Sequence, residues 1–370
     1  MTTVLEPPTH DEPLDAAPAD DRDFRPTPGG WAARAALPIG SLLVLFFYLN
    51  HFAPVRADNL SNGLIIAVGA LSLNVLVGYA GQISLGHQAF IGIGAFTSAY
   101  VISQSHQSFY VALVVAALVG ATQAVILGLV ALRVRGLYFA LVTLAWGAVS
   151  EQCIFLLKGF TGGGAGANAP KPGGFTTDRA YFVLVAIALG VILLIDWRMM
   201  ASKAGRAMQA LRESPQVAAN YGVNVNAYTL LAFAVSGFYA GVAGALYASR
   251  RTTVQAVEFS FASIALTYLI VTVVGGLRKR GGIVAFAILF ELGAEWLPDL
   301  AKSLGLPRSF QANAGTYLQA VSGILAILTL IFQPEGLGTI TGPIGKWLKG
   351  ERFHLGHGGG GGAEGVNARP

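Results

Sequence analysis

The 370-residue sequence predicts an all-α integral membrane protein of about ten transmembrane helices with both termini cytoplasmic, and three observations predict it. Apolar residues make up 54% of the chain and charged residues only 12%, too little charge to cover a water-facing surface. Apolar runs of the length that spans about 30 Å of hydrocarbon at 1.5 Å per residue recur along the chain. Lys and Arg concentrate in short connections that fall on one side when ten spans are counted.

The first 31 residues carry seven acidic side chains between Glu6 and Asp23, with Pro and Ala between them. That composition predicts a disordered acidic cytoplasmic tail, of the wrong charge for a secretory leader. A transmembrane domain is expected over residues 32–340, and a flexible Gly-rich tail, with Gly358 to Gly362 in a row, over 341–370. His354 and His357 belong to that solvated tail, and no metal site is expected.

Within the membrane domain the apolar runs lie near 33–52, 59–79, 87–102, 109–132, 136–157, 180–197, 228–248, 259–277, 282–297 and 317–332. Strands of a closed sheet would alternate over about ten residues, whereas these runs are longer and uniformly apolar, so helices are predicted. The third and ninth runs are short and interrupted by polar residues, and nine is the alternative count. With an inside N-terminus, 8 of the 24 Lys and Arg residues fall outside and 16 inside. Removing one span would put the basic clusters on opposite sides, which favours ten. The net charge of +5 is spread over these loops, so it reports topology rather than nucleic-acid binding. Cys153, the sole cysteine, lies in an apolar run and is expected to be a buried, inert thiol.

Two connections are unusual. The cytoplasmic stretch 198–227 contains an amphipathic basic segment with Gly205, Arg206, Arg212 and Glu213, then Pro215, Ala218 and a helix stop at Gly222. Met208, Leu211 and Val217 are its expected apolar face. A helix, a break and a helix on the cytoplasmic surface suit either lipid headgroups or a soluble partner. The second is 78–94, where five glycines and Gln82, Ser84, His87 and Gln88 separate two apolar runs. Irregular backbone at membrane depth is tolerated where it is buried in protein or lines a cavity, which makes this a candidate substrate path. A tight surface hairpin is the alternative.

Ionisable and amide groups inside spans are the remaining candidates. Glu151 sits mid to late in the fifth span and is the better pore candidate; Glu291 and Glu295 share one face of the ninth, with Glu295 near a helix end. Asn74 and Gln123 can bond across helices. Gly120, Ala124 and Gly128, and again Gly237, Gly241 and Gly244, have the small-residue spacing that lets helix backbones approach closely. The extracytoplasmic loop 158–179 is long enough to meet an external partner. No Walker A sequence occurs, since Gly345-Lys346 is followed by Trp347, and no catalytic constellation is visible. The chain is not expected to hydrolyse nucleotide itself.

Five blocks occur in an order that resembles the permease subunits of branched-chain amino acid ABC importers, a family that also contains urea-type members. They are Leu73-Asn74-Val75-Leu76-Val77-Gly78-Tyr79-Ala80-Gly81-Gln82-Ile83-Ser84-Leu85-Gly86-His87, Leu132-Arg133-Val134-Arg135-Gly136-Leu137-Tyr138-Phe139-Ala140, residues 161–166, Gly205-Arg206-Ala207 through Gly222, and Gln333-Pro334-Glu335-Gly336-Leu337. The resemblance implies that the 205–222 segment docks in a groove of an ATP-binding cassette subunit. It also implies a second homologous permease, an extracytoplasmic solute-binding protein, and alternating access in a bacterial-type cytoplasmic membrane, with ATP held by the partner subunits. The chain departs from the family at Arg278-Lys279-Arg280, where a small Gly-Ser turn is usual, and at Ile283-Val284-Ala285-Phe286-Ala287. A branched-chain amino acid is the expected substrate, urea or a related amide the alternative. An ion-coupled transporter acting alone, with Glu151 as the ion or proton group, is the reading from another class.

Overall fold

The computed structural model describes residues 54–134, 136–162 and 166–303, together with helical positions 317, 321, 324 and 328. The acidic tail, the first apolar run, most of the tenth run and the Gly-rich tail lie outside the described residues.

The chain enters the described region in α1 (Pro54–Asn74), which widens at its end into a π-helical turn, Val75–Tyr79. An extended connection leads to α2 (His87–Ser103). Ser108 then caps α3 (Phe109–Ala131), its hydroxyl accepting the Val111 N–H, and α4 (Leu137–Gln152) follows after the Gly136 turn. Beyond a 3-10 turn and the short α5 (Lys158–Thr161) come β1 (Ala167–Ala169) and α6 (Asp178–Ala201), the latter capped by Thr177. Two short helices, α7 (Lys203–Glu213) and α8 (Pro215–Asn220), precede α9 (Val225–Arg251) and β2 (Thr252–Val254). A 3-10 turn and a π-helical turn (Phe261–Ala265) feed α10 (Leu266–Gly275), and α11 (Arg280–Ser303) closes the described chain.

Among the described residues five helices are long and apolar enough to cross a membrane: 57–79, 109–131, 137–156, 178–201 and 225–251. Their burial sorts them. Within the apolar window 89% of the first and 72% of the last is buried, against 33–39% of the other three. So α1 and α9 form the centre, while α3, α4 and α6 present outer faces such as Leu118, Ile126, Leu141, Ile187 and Leu194. In lipid an apolar outer face needs no protein partner, because hydrocarbon is the solvent.

The centre is built by backbone contact. A Cβ added at Gly237 would lie 2.2 Å from the Gly120 carbonyl oxygen, and one at Gly241 would lie 2.2 Å from that of Ala116. The repeats Gly120-Ala124 and Gly237-Gly241 are thus the two sides of one seam, where α3 and α9 approach more closely than any side chain would allow.

The two ends of the bundle are fastened differently. At the end carrying the π-helical turn of α1, Arg280 is ion-paired with the fully buried Asp196, whose Oδ2 also accepts the Tyr79 hydroxyl at 2.9 Å. At the other end Arg250 pairs with Asp58 at 2.7 Å, and β1 pairs antiparallel with β2 in the register Ala167↔Val254 to Ala169↔Thr252. This ribbon ties the 158–179 loop to the end of α9, a pairing of two three-residue strands that the apolar pattern does not reveal. Cys153 corrects an expectation: it is exposed rather than buried. It follows the last turn of α4, whose outward side no element of the described chain covers.

Candidate functional site

The stretch 198–227 folds as a helix, a break and a helix because its polar residues cap each start. Ser202 accepts the Ala204 N–H at the head of α7, Ser214 accepts the Val217 N–H at the head of α8, and Asn224 accepts the Ala227 N–H at the head of α9. Pro215 stands at the first position of α8, where its missing N–H costs nothing. Gly222 follows α8 with φ +79°, a left-handed conformation that side chains with a Cβ disfavour.

The faces of α7 differ from the sequence expectation. Met208 and Leu211 are buried against the bundle, and so are Gly205 and Ala218, but Val217 is exposed with Tyr221 and Gly222. The apolar face therefore seats the segment on its own membrane domain instead of offering itself outward. What projects is a different set: Arg206, Glu213, Val217 and Tyr221, the last 85% exposed. Gly205 fits because a Cβ there would sit 2.4 Å from the Met200 backbone.

Arg212 points inward. Its guanidinium donates to the Gly78 carbonyl, and its side chain lies over Gly81. Burial and the neighbouring Arg278 both work against its charge, lowering its pKa, while Glu213 favours the charge. The carbonyl contact compensates part of that loss. Gly78 is itself forced, since a Cβ there would lie 2.2 Å from the Asn74 side-chain oxygen. Asn74 Oδ1 in turn accepts the Arg278 N–H at 2.8 Å. A chain of contacts therefore runs from α7 through the irregular end of α1 to the turn before α11. The basic turn Arg278-Lys279-Arg280 supplies its last link, the Arg278 N–H.

The other sequence-predicted polar residues occupy three separate places. Ser84, His87 and Gln88 are buried between α1, α2 and α4. His87 Nε2 lies 2.7 Å from Ser72 Oγ, and Ser72 and Ser236 exchange hydroxyl-to-carbonyl bonds between α1 and α9 at 2.7 and 2.9 Å. Gln88 Nε2 and Oε1 and the Ser84 hydroxyl have no partner. Gln82 is half-buried beside Leu211 and Pro215, in a small recess under the α7–α8 break. Glu151, near the opposite end, accepts the Phe261 N–H at 3.2 Å and so caps the π-helical turn before α10. The residues 78–94 are thus largely enclosed in protein, not a surface hairpin, and α4 is the cover: Thr143 Oγ1 accepts the Leu85 N–H at 2.9 Å, and Gly147 backs onto Gln88.

Sequence reasoning missed Asp196, Tyr79 and Ser72. Asp196 closes an apolar run with nothing in its neighbourhood to mark its partner 84 residues later. An aspartate just inside the apolar limit of a span was the available signal.

A family model described as branched-chain amino acid transport system / permease component matches residues 56–332. The chain is 31% identical over 316 residues to the high-affinity branched-chain amino acid transport system permease protein LivM of Salmonella typhimurium, covering 78% of this chain and 71% of that protein. It is 32% identical over 308 residues to LivM of Escherichia coli, covering 76% and 69%. The probable branched-chain amino acid transport permease protein LivH of Methanocaldococcus jannaschii is 29% identical over 168 residues, 45% of this chain and 49% of that one. No solved structure matches. With a match that runs across nearly all of its apolar spans, the chain belongs to the branched-chain amino acid transport permease family, and it is a membrane-embedded transport subunit rather than an enzyme.

Proposed function

We propose that this permease carries branched-chain amino acids inward across a bacterial-type cytoplasmic membrane, driven by separate ATP-binding cassette subunits. A second homologous permease and an extracytoplasmic solute-binding protein complete the machine, and ten spans with both termini cytoplasmic complete the chain. The observation that carries this reading is the α7–α8 segment: an exposed, capped, two-helix projection fastened by Arg212 to the irregular end of the central helix. In this reading the outward set Arg206, Glu213, Val217, Tyr221 and Gly222 docks on the ATPase. Displacement of the docked segment pulls on Gly78 and, through Asn74, on the turn before α11.

Asn74, Gln82, Ser84, His87, Gln88 and Glu151 are then the polar wall of the path, closed in the described conformation. Support comes from the unpartnered polar atoms of Ser84 and Gln88, which are costly when buried and satisfied once α4 moves and water or substrate enters.

Proteoliposomes test the class. The complete assembly should take up leucine only with internal ATP and binding protein. Uptake by the purified chain alone on an ion gradient would instead establish the ion-coupled transporter. Uptake of urea and not leucine would move the substrate to the amide branch.

A further inference from the structure

A second cavity lies away from the segment and wall just described. It sits between α1, α9, α10 and α11, about one helical turn inside the end that carries Asp58 and Arg250. Its volume is about 200 Å³. Pockets for drug-sized ligands run from about 300 to 1,000 Å³, whereas an apolar cavity of about 150 Å³ accepts benzene, so this one fits a solute only somewhat larger than benzene.

The lining divides by chemistry. Glu291 of α11 brings a carboxylate to a lining that also holds Asn62, Thr267 and two tyrosines, and the Asn62 amide donates to it. That bond leaves the Asn62 Oδ1 atom buried and without a partner, a second acceptor beside the carboxylate. Two acceptors at one spot suit a donor-only cation such as an ammonium group. Tyr247, Tyr268 and Phe290 line the same cavity with aromatic rings, a surface that can also favour a cation. Ile66 and Ile264 complete the wall with branched aliphatic surface. Arg251 marks the Tyr247 side, its Nε 3.3 Å from the Tyr247 hydroxyl and paired with Glu258 at 3.3 Å while half of its side chain remains exposed.

From this arrangement we infer that the cavity is a binding subsite for the zwitterion of a small aliphatic amino acid, the ammonium group held by Glu291 and Asn62 Oδ1, the side chain against Ile66, Ile264 and Phe290, and the carboxylate toward Arg251. It rests on the proposed transport of branched-chain amino acids and places a recognition step in this subunit, in addition to whatever the external protein selects. Transport then has a stop on the way in, near the outer end of the bundle.

Equilibrium binding of radiolabelled leucine to the assembled transporter in nanodiscs, without the external binding protein, tests it. Isoamylamine keeps the ammonium and the branched chain, and isocaproate keeps the carboxylate and the branched chain. The amine should compete better than the acid, and Glu291→Gln should weaken leucine binding about tenfold or more and abolish the amine's advantage. A Glu291→Asp variant retains the charge, so it should preserve the preference at reduced affinity. A packing role alone would lower affinity for all three compounds alike. The subsite is refuted if the amine's advantage persists in Glu291→Gln, or, should that variant fail to assemble, if Glu291→Asp binds leucine as tightly as the wild type. ATP-driven leucine uptake by the wild type, measured in proteoliposomes with binding protein, separates the two ideas: uptake with an unaltered Glu291→Gln overturns the subsite alone, and no uptake overturns the transport reading beneath it.

Discussion

The contact between α3 and α9 and the contact between α4 and α2 both depend on glycine, yet they differ in what they enclose. Along the first, backbone meets backbone at Gly120, Gly237 and Gly241. Beneath the second lie Ser84, His87 and Gln88, and α4 is held there by Thr143 and by Gly147 while its far side is exposed. The first contact is closed by a backbone fit that any separation would undo. The second leaves polar atoms unpartnered, so opening costs less there. In the proposed alternating-access cycle, α3 and α9 would form the frame and α4 the moving element.

The largest effect should come from breaking the frame. Gly241→Leu forces a side chain to within bonding distance of the Ala116 carbonyl, and the seam must separate along its length. Essentially no monodisperse protein should survive size-exclusion chromatography after extraction. A clamp outside both contacts gives the next effect. Arg280→Met leaves the buried Asp196 carboxylate without its cation, for an expected loss of about 3–5 kcal/mol in unfolding free energy, and Arg280→Met with Asp196→Asn should recover part of it.

Coupling should fail without loss of fold in Arg212→Glu and Gly222→Pro. The first places a carboxylate against the Gly78 carbonyl, and the second demands a negative φ where the chain has +79°. Both should appear in the membrane at normal levels, yet binding-protein-stimulated ATP hydrolysis should not respond; normal stimulation in both would remove the docking role from α7–α8. Thr143→Val then sharpens the comparison itself. It removes the acceptor of the Leu85 N–H, at a cost of about 1 kcal/mol, and hydrogen exchange should quicken in α4 and residues 84–88 while α3 and α9 stay protected. Equal acceleration in all four would show that α4 is no more mobile than the frame. The smallest effect belongs to Lys171→Ala, since Lys171 and Asp178 form a partly exposed pair worth at most about 1 kcal/mol.

Much of the frame was legible because it repeats locally. Apolar runs marked the long described helices, although α10 starts only at Leu266 and α11 runs on to Ser303, and the spacing of Gly120, Ala124 and Gly128 identified a surface built for close approach. Local spacing cannot say which surface meets which, and the partner of Gly120 proved to be Gly237, 117 positions away in the numbering. Pro215 and the Gly222 stop marked the helix–break–helix form in the sequence, but the inward turn of Met208 and Leu211 reflects a membrane domain beneath them that no local pattern displays. Cys153 shows the reverse error: an apolar run predicts removal from water, and in a membrane protein that is compatible with full exposure on the lipid side. The pair Asp196 and Arg280 and the ribbon of β1 and β2 join segments more than 80 positions apart, beyond any periodicity.

The glycine seam has a consequence for handling the protein. Backbone contact in hydrocarbon is held by dispersion and close fit, with no contribution from expelled water, so exchanging lipid for detergent removes little of what joins α3 to α9. The outer side of α4 is in the opposite position: its fit depends on whatever apolar molecules lie against Leu141 and Val149. Solubilised protein should therefore keep a sound centre while losing the cover over Ser84, His87 and Gln88, and an extract that looks intact by size can already have lost the ability to close.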